Sequence, residues 1–264
     1  MIGLSTYAYF WRWSELNPEP LTLSAMLRDA AALGAEVFQI CDYPPLERMA
    51  RGELAEAAEL GRELGLVLEV GTRGVDPGHL ARYLEIATVL GAPFVRSMVT
   101  PDDARDLPGV PELLAEAVPE YTARGVGLGL ETYEQVATSA LVDTVEAVGH
   151  PGLGIVLDPG NCVARLEHPA DVIDRTAPYV KNLHVKDFLF SRNNGWVGFA
   201  FAGAPLGEGL LDYADMAARV RPNERGINQI IEHWLPWAGD FPMTARREEQ
   251  WARHNIDYLR SRNP

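Results

Sequence analysis

Ala123-Arg124-Gly125-Val126-Gly127-Leu128-Gly129-Leu130-Glu131 holds in one short stretch the pattern that the rest of the chain repeats. A helix-like segment stops at Gly125, a residue type that accepts the left-handed backbone ending a helix. A brief apolar run follows, suited to a strand buried on both faces of a parallel sheet. The run closes on an acid. The same glycine stop recurs at Leu33-Gly34-Ala35, Leu64-Gly65-Leu66 and Leu90-Gly91-Ala92. Along the whole chain, strand-like runs fall at 2–7, 36–41, 67–70, 94–98, 127–131, 154–158, 180–185 and 229–232. Helix-like segments fall around 22–33, 46–64, 78–90, 110–124, 139–148, 169–176, 213–220 and 246–260. Eight of each predict an α/β chain folded as a single (β/α)8 TIM barrel domain over residues 1–264, a fold that typically needs about 250 residues.

Loops after the helices are short, while longer segments follow the strands at 9–20, 71–77, 100–109 and 188–211. In such barrels the loops after strands build the active-site face. An open doubly wound sheet shows the same alternation, but it usually places a glycine-rich phosphate loop after its first strand. Here that position reads Tyr7-Ala8-Tyr9-Phe10-Trp11, too bulky to cradle a pyrophosphate, and neither a Walker loop nor a GxGxxG follows any strand.

The 264 residues are 47% hydrophobic and 23% charged, as in ordinary globular proteins, with a formal net charge of −14. That field repels nucleic acid, and no basic run exceeds Arg246-Arg247, so nucleic acid is not an expected partner. Cys41 and Cys162 are the only cysteines, which suits neither a disulfide framework nor a zinc-finger spacing. No stretch approaches the roughly 20 apolar residues that span a bilayer. The first residues lack the basic start and apolar core of a signal peptide. A soluble cytoplasmic protein without a membrane partner is the expectation.

Four strand ends carry a potential metal ligand: Leu130-Glu131, Leu157-Asp158, Leu183-His184 and Ile231-Glu232. An acid or histidine after a buried apolar run is costly unless something compensates it. One such acid is more often a helix cap or half of an ion pair. Four at the same end of one sheet point instead to a shared site. Three carboxylates and an imidazole make a mostly oxygen donor set for one divalent metal ion, Mn²⁺ foremost, with Mg²⁺, Co²⁺ or Zn²⁺ as alternatives. An octahedral ion held by four ligands keeps two positions for substrate oxygens.

With Leu157-Asp158-Pro159-Gly160-Asn161, Asn182-Leu183-His184-Val185-Lys186-Asp187 and Leu206-Gly207-Glu208-Gly209-Leu210-Leu211-Asp212-Tyr213, the chain resembles the xylose-isomerase-like barrels. These are sugar and sugar-phosphate isomerases and epimerases with relatives among lyases and DNA-repair endonucleases. The resemblance implies Glu131, Asp158, His184 and Glu232 as metal ligands, with Glu131 and Glu232 also the acid/base pair. It further implies a small sugar or sugar-acid substrate and self-association into homo-oligomers. The physical logic is independent of the likeness: a chelated hydroxy-carbonyl has an acidified neighbouring C–H, one carboxylate removes that proton and a second returns it. A metal-dependent isomerase or epimerase is the leading expectation. The alternative is a metal-dependent lyase that decarboxylates or dehydrates an oxo-sugar acid. A DNA endonuclease would want more histidine ligands and a basic face.

Lys186 lies two residues beyond His184 and so shares its face, where it neutralises a substrate oxyanion or pairs with Asp158 or Asp187. Asn161 occupies a place where many relatives have a substrate-contacting histidine. Arg73 and Arg96, near strand ends, either clamp a substrate carboxylate or pair internally with Glu69 or Glu131; the clamp favours an acidic substrate and hence the lyase. Tyr7, Trp11 and Trp13 after the first strand, with Trp234 and Trp237 after the last, suit a water-excluding wall for sugar faces or ordinary core. His79, His150, His168, His233 and His254 read as structural or solvent-exposed, His233 alternating away from Glu232.

Overall fold

The computed structural model describes residues 1–263, and of Trp196 the backbone alone; Pro264, the last residue of the expected domain, lies outside the described residues. Strands β1 (Ile2–Ser5), β2 (Val37–Cys41), β3 (Val67–Gly71), β4 (Phe94–Ser97), β5 (Gly127–Glu131), β6 (Leu153–Leu157) and β7 (Val180–Val185) are followed by a hairpin, β8 (Asp187–Arg192) and β9 (Phe199–Ala204), and then by β10 (Asn228–Ile231). β1 to β7 and β10 form a closed parallel barrel in chain order, β10 lying between β7 and β1. Around it run α1 (Leu23–Ala32), α2 (Arg51–Glu63), α3 (Pro77–Leu90), α4 (Val110–Ala123), α5 (Thr138–Val148), α6 (Pro169–Thr176), α7 (Tyr213–Val220) and α8 (Phe241–Arg262). All eight predicted strands and helices are present in this TIM barrel. Leu27, Leu84, Val118, Ile173 and Leu259 seal helices onto the outer faces of the strands.

Local chemistry explains the element ends. Asp76 starts α3 by accepting from the His79 amide at 2.9 Å, while Gly91 stops it at φ 68°, where a side chain would be strained. The predicted helix 46–64 is divided: a single turn at Pro45–Arg48 ends at an extended Met49, and α2 begins afresh at Arg51. Glu53 fixes that restart by accepting from the Ala50 amide at 2.7 Å, which satisfies a donor that the helix N-terminus leaves open. α8 begins at Phe241 rather than near 246, because Asp240 caps it through the Met243 amide at 2.7 Å.

The segment 188–211, expected as loop, contains the β8–β9 hairpin. Its pairing puts Phe188 opposite Gly203 and Phe190 opposite Phe201, and the Phe188 and Phe190 rings lie 5.4 and 4.9 Å from that of Phe201. The alternating phenylalanines are a period-two strand signal that the length of the segment obscured.

The barrel interior is polar toward the mouth. Because side chains alternate along a strand, Gln39, Glu69, Arg96, Asn182 and His184 are all buried among the strands. Arg96 is flanked in register by Gly71 on one neighbour and Gly129 on the other, so a long guanidinium side chain lies where adjacent strands supply none.

Candidate metal and active site

Glu131 ends β5, Asp158 follows β6, His184 sits in β7 and Glu232 follows β10. Each is at least 96% buried, and each offers a ligand atom, all lying within 4.8 Å of one another. The structure thus brings together the four expected ligands. His184 Nδ1 faces Glu131 Oε1 at 3.2 Å and Glu232 Oε1 at 3.5 Å. Ser5 donates to Glu232 Oε1 at 3.0 Å.

Two buried cations offset these acids. Lys186 Nζ lies 2.6 Å from Asp158 Oδ2 and 3.4 Å from Glu232 Oε2, with the Trp234 ring centroid 4.1 Å away. Arg96 Nε lies 2.5 Å from Glu131 Oε2, and its Nη2 3.2 Å from Asp42 Oδ2. Of the pairings foreseen for these cations, Asp158 and Glu131 are realised, whereas Asp187 accepts from the amides of Gly207, Gly209 and Leu211 and pins the following loop. Asn161 bridges the groups, its Nδ2 donating to Glu131 Oε1 at 2.8 Å and its Oδ1 accepting from Lys186 at 3.1 Å. Asp158 caps the short helix Pro159–Cys162 through the Asn161 amide, and so sets that bridge in place.

Charge and burial compete at every group. Burial alone would push Glu131 up, but Arg96 and then His184 hold its carboxyl well below the usual range. Burial pushes Asp158 up to about 6, Lys186 offsetting only part of that while Glu131 and Glu232 add to it. Burial would lower Lys186, yet Asp158 and Glu232 hold it firmly protonated. The donor set fits a divalent cation: Glu131 Oε2 and Asp158 Oδ2 meet cations at ion-pair distance but receive no aligned hydrogen bond, so their lone pairs remain usable.

Outside this cluster is a cavity of about 480 Å³ at the mouth of β1 to β3, lined by Tyr7, Trp13, Asp42, Thr72 and Arg73 among others. Arg73 is half-exposed there and pairs with Asp42 at 3.1 Å, while its Nη2 donates to the Tyr7 hydroxyl at 2.8 Å. Tyr7 in turn donates to Asp42 Oδ2 at 2.9 Å. Trp11 donates through Nε1 to the Leu235 carbonyl at 2.8 Å and meets the Trp237 ring at 5.2 Å, which ties the first loop to the last. His233 points away from the acids toward Trp251, and burial pushes it down to about 3.

Three polar residues escaped the sequence reading. Asp42 follows β2 directly and bridges both arginines, so the strand-end rule that selected the ligands covers it too. Gln39 and Cys41, on β2 itself, meet His184: Gln39 Oε1 accepts from its Nε2 at 2.7 Å and from the Cys41 thiol at 2.9 Å. Cys41 also lies within the 4.8 Å cluster of His184 and Glu232, where burial pushes its thiol up and it donates to Gln39.

Residues 27–262 match the model of the xylose isomerase-like TIM barrel family. The 3-oxo-isoapionate decarboxylase of Pectobacterium atrosepticum is 51% identical over 100% of this chain and 96% of its own. Among solved structures, D-psicose 3-epimerase of Clostridium cellulolyticum superposes with a TM-score of 0.74 at 14% identity, covering 98% of both chains. A xylose isomerase-like barrel of Mycobacterium smegmatis, in complex with magnesium, gives 0.70 at 18% identity over 98% of this chain and 97% of that one. At such identities the two structures speak for the fold alone. Among the described residues no helix is long and apolar enough to cross a membrane.

Proposed function

The chain belongs to the xylose isomerase-like TIM barrel family, and from that premise we propose that it is a metal-dependent lyase that decarboxylates a 3-oxo sugar acid. The observation that carries the reaction class is the 51% identity, over the full chain, to a protein named 3-oxo-isoapionate decarboxylase. A 3-oxo acid has its carbonyl one carbon removed from the carboxylate. When the bond to CO₂ breaks, the electron pair passes to the intervening carbon and into the carbonyl oxygen as an enolate. No carbon-bound proton needs removing; the protein must supply positive charge for that oxygen, and the carbon must gain a proton.

Glu131, Asp158, His184 and Glu232 would hold the divalent ion, for which we take Mn²⁺. When bound, it supplies a Lewis acid for the carbonyl and enolate oxygens. Lys186 adds a fixed cation beside them to stabilise the enolate oxygen, and the carbon takes its proton from solvent. Asn161 keeps the ammonium aimed. Arg73, half-exposed in the cavity, receives an anionic end of the substrate, with Tyr7 beside it. Trp234 covers Lys186, and Trp11 closes the loops that keep water out.

An isomerase would need Glu131 to carry a proton. The Arg96 contact lowers the Glu131 carboxyl and so makes it a weak proton acceptor. The deciding experiment incubates the Mn²⁺-loaded protein with 3-oxo sugar acids and with neutral ketoses in D₂O. The proposal expects CO₂ release and one deuterium at the carbon that lost it. Exchange into ketoses without CO₂ would restore the epimerase reading.

A further inference from the structure

We infer that Gln39 and Glu69, neither of which touches the metal position, form a positioning relay that locks the His184 ring so that Nδ1 is its ligand atom. The inference rests on the proposed role of His184 as a ligand.

The relay starts from a carboxylate deep in the barrel. Glu69 is 1% exposed, and both its oxygens are occupied by amides: Oε1 by Asn228 Nδ2 at 2.6 Å, Oε2 by Gln39 Nε2 and Asn182 Nδ2, each at 2.9 Å. An ionised carboxylate only accepts hydrogen bonds, so Gln39 must turn its NH₂ toward Glu69. That choice forces the Gln39 carbonyl oxygen toward β7, where His184 Nε2 lies at 2.7 Å. The Cys41 thiol, donating to the same oxygen at 2.9 Å, reinforces the assignment. A ring nitrogen facing a carbonyl oxygen must carry the hydrogen. Nδ1 faces Glu131 and Glu232 at 3.2 and 3.5 Å; without a cation those carboxylates favour a second hydrogen there, and in the neutral ring that would bind a metal Nδ1 is the nitrogen that keeps its lone pair. The acceptor oxygens of Glu69 thus decide, through one amide, which atom of His184 meets a cation. Outer partners of this kind typically hold metal affinity up by about 10- to 100-fold.

The test is Mn²⁺ affinity by titration calorimetry, with ¹⁵N spectra of His184 in the Mg²⁺-loaded protein. Gln39→Leu and Glu69→Leu are expected to weaken Mn²⁺ binding about 10- to 100-fold. Glu69→Gln, which can still accept from Gln39, should stay within about threefold if orientation rather than charge is what matters. The ¹⁵N spectra should show hydrogen on Nε2 and none on Nδ1. Unchanged affinity in Gln39→Leu, with metal lost in His184→Ala, would overturn the relay while leaving the four-ligand site intact. Full metal binding in His184→Ala would overturn both. Should the leucine variants fail to fold, the spectrum of the unsubstituted Mg²⁺-loaded protein decides: a hydrogen on Nδ1, or metal on Nε2, refutes the relay.

Discussion

Replacing Arg96 by methionine removes the one cation that, among the described residues, touches both Glu131 and Asp42. Arg96 and Glu131 are 1% and 3% exposed, and breaking such a buried pair typically costs about 3–5 kcal/mol, because a charge is left uncompensated. Asp42 keeps Tyr7 and Arg73, so the loss falls mainly on Glu131, which itself keeps Asn161 and His184. We therefore expect the lower end, about 3 kcal/mol in the metal-free protein at pH 7. For a chain of this size that corresponds to a Tm lower by roughly 6–12 °C. In the native protein the depressed Glu131 carboxyl contributes stability that is complete above its ordinary value of 4.5 and lost as pH falls through its lowered one. In the variant, burial prevails and the sign reverses: the carboxyl is raised, and the cost of keeping it ionised is relieved as pH falls. Urea unfolding with chelator at pH 7 and pH 5 measures both effects. The deficit should shrink at the lower pH. A loss under about 1 kcal/mol at pH 7, the range of an exposed pair, or a deficit equal at both pH values, would refute the reasoning.

Lys186→Met should lower kcat by about 10²–10³-fold, the usual loss for a single oxyanion-stabilising group, while Mn²⁺ still binds in calorimetry; an unaltered kcat removes Lys186 from the reaction. Arg73→Ala should raise KM for an acidic substrate about tenfold or more with little change in kcat, as when a uniform binding contact is lost, and steady-state kinetics on acidic and neutral analogues check it. Asp158→Asn should abolish stoichiometric Mn²⁺ binding by elemental analysis, and dialysis against chelator should abolish activity that added Mn²⁺ restores.

The barrel and its four acidic or imidazole strand ends were legible because both depend on local pattern. Apolar runs with glycine stops mark the strands, and a buried run that ends in Glu131, Asp158, His184 or Glu232 marks an interior polar end. What the sequence could not order was pairing across the barrel. Arg96 looked equally able to bind substrate, Glu69 or Glu131, and its choice follows from register: Gly71 and Gly129 flank it and leave Glu131 and Asp42 within reach. Gln39 was passed over because an amide inside an apolar strand carries no charge signal, yet it touches both Glu69 and His184. Glu69 is its register partner on the neighbouring β3, 30 positions away, whereas His184 lies 145 positions away on β7, across the closed barrel.

The distribution of charge bears on how the proposed acid substrate would suit so acidic a chain. With a formal charge of −14 overall, the distant field opposes an approaching carboxylate, but that field is screened within about 10 Å at moderate salt, and the mouth sets its own balance. There Glu131, Asp158, Glu232 and Asp42 face Lys186, Arg96 and Arg73, which leaves one net negative charge with His184 neutral. A divalent cation held by the four ligands reverses that sign. On the proposed function, the same site would resist an anion when metal-free and accept one when loaded, so a bound metal would favour substrate entry as well as supply a Lewis acid. Arg96 and Lys186 make this possible by lowering the repulsion among three buried carboxylates before any cation arrives.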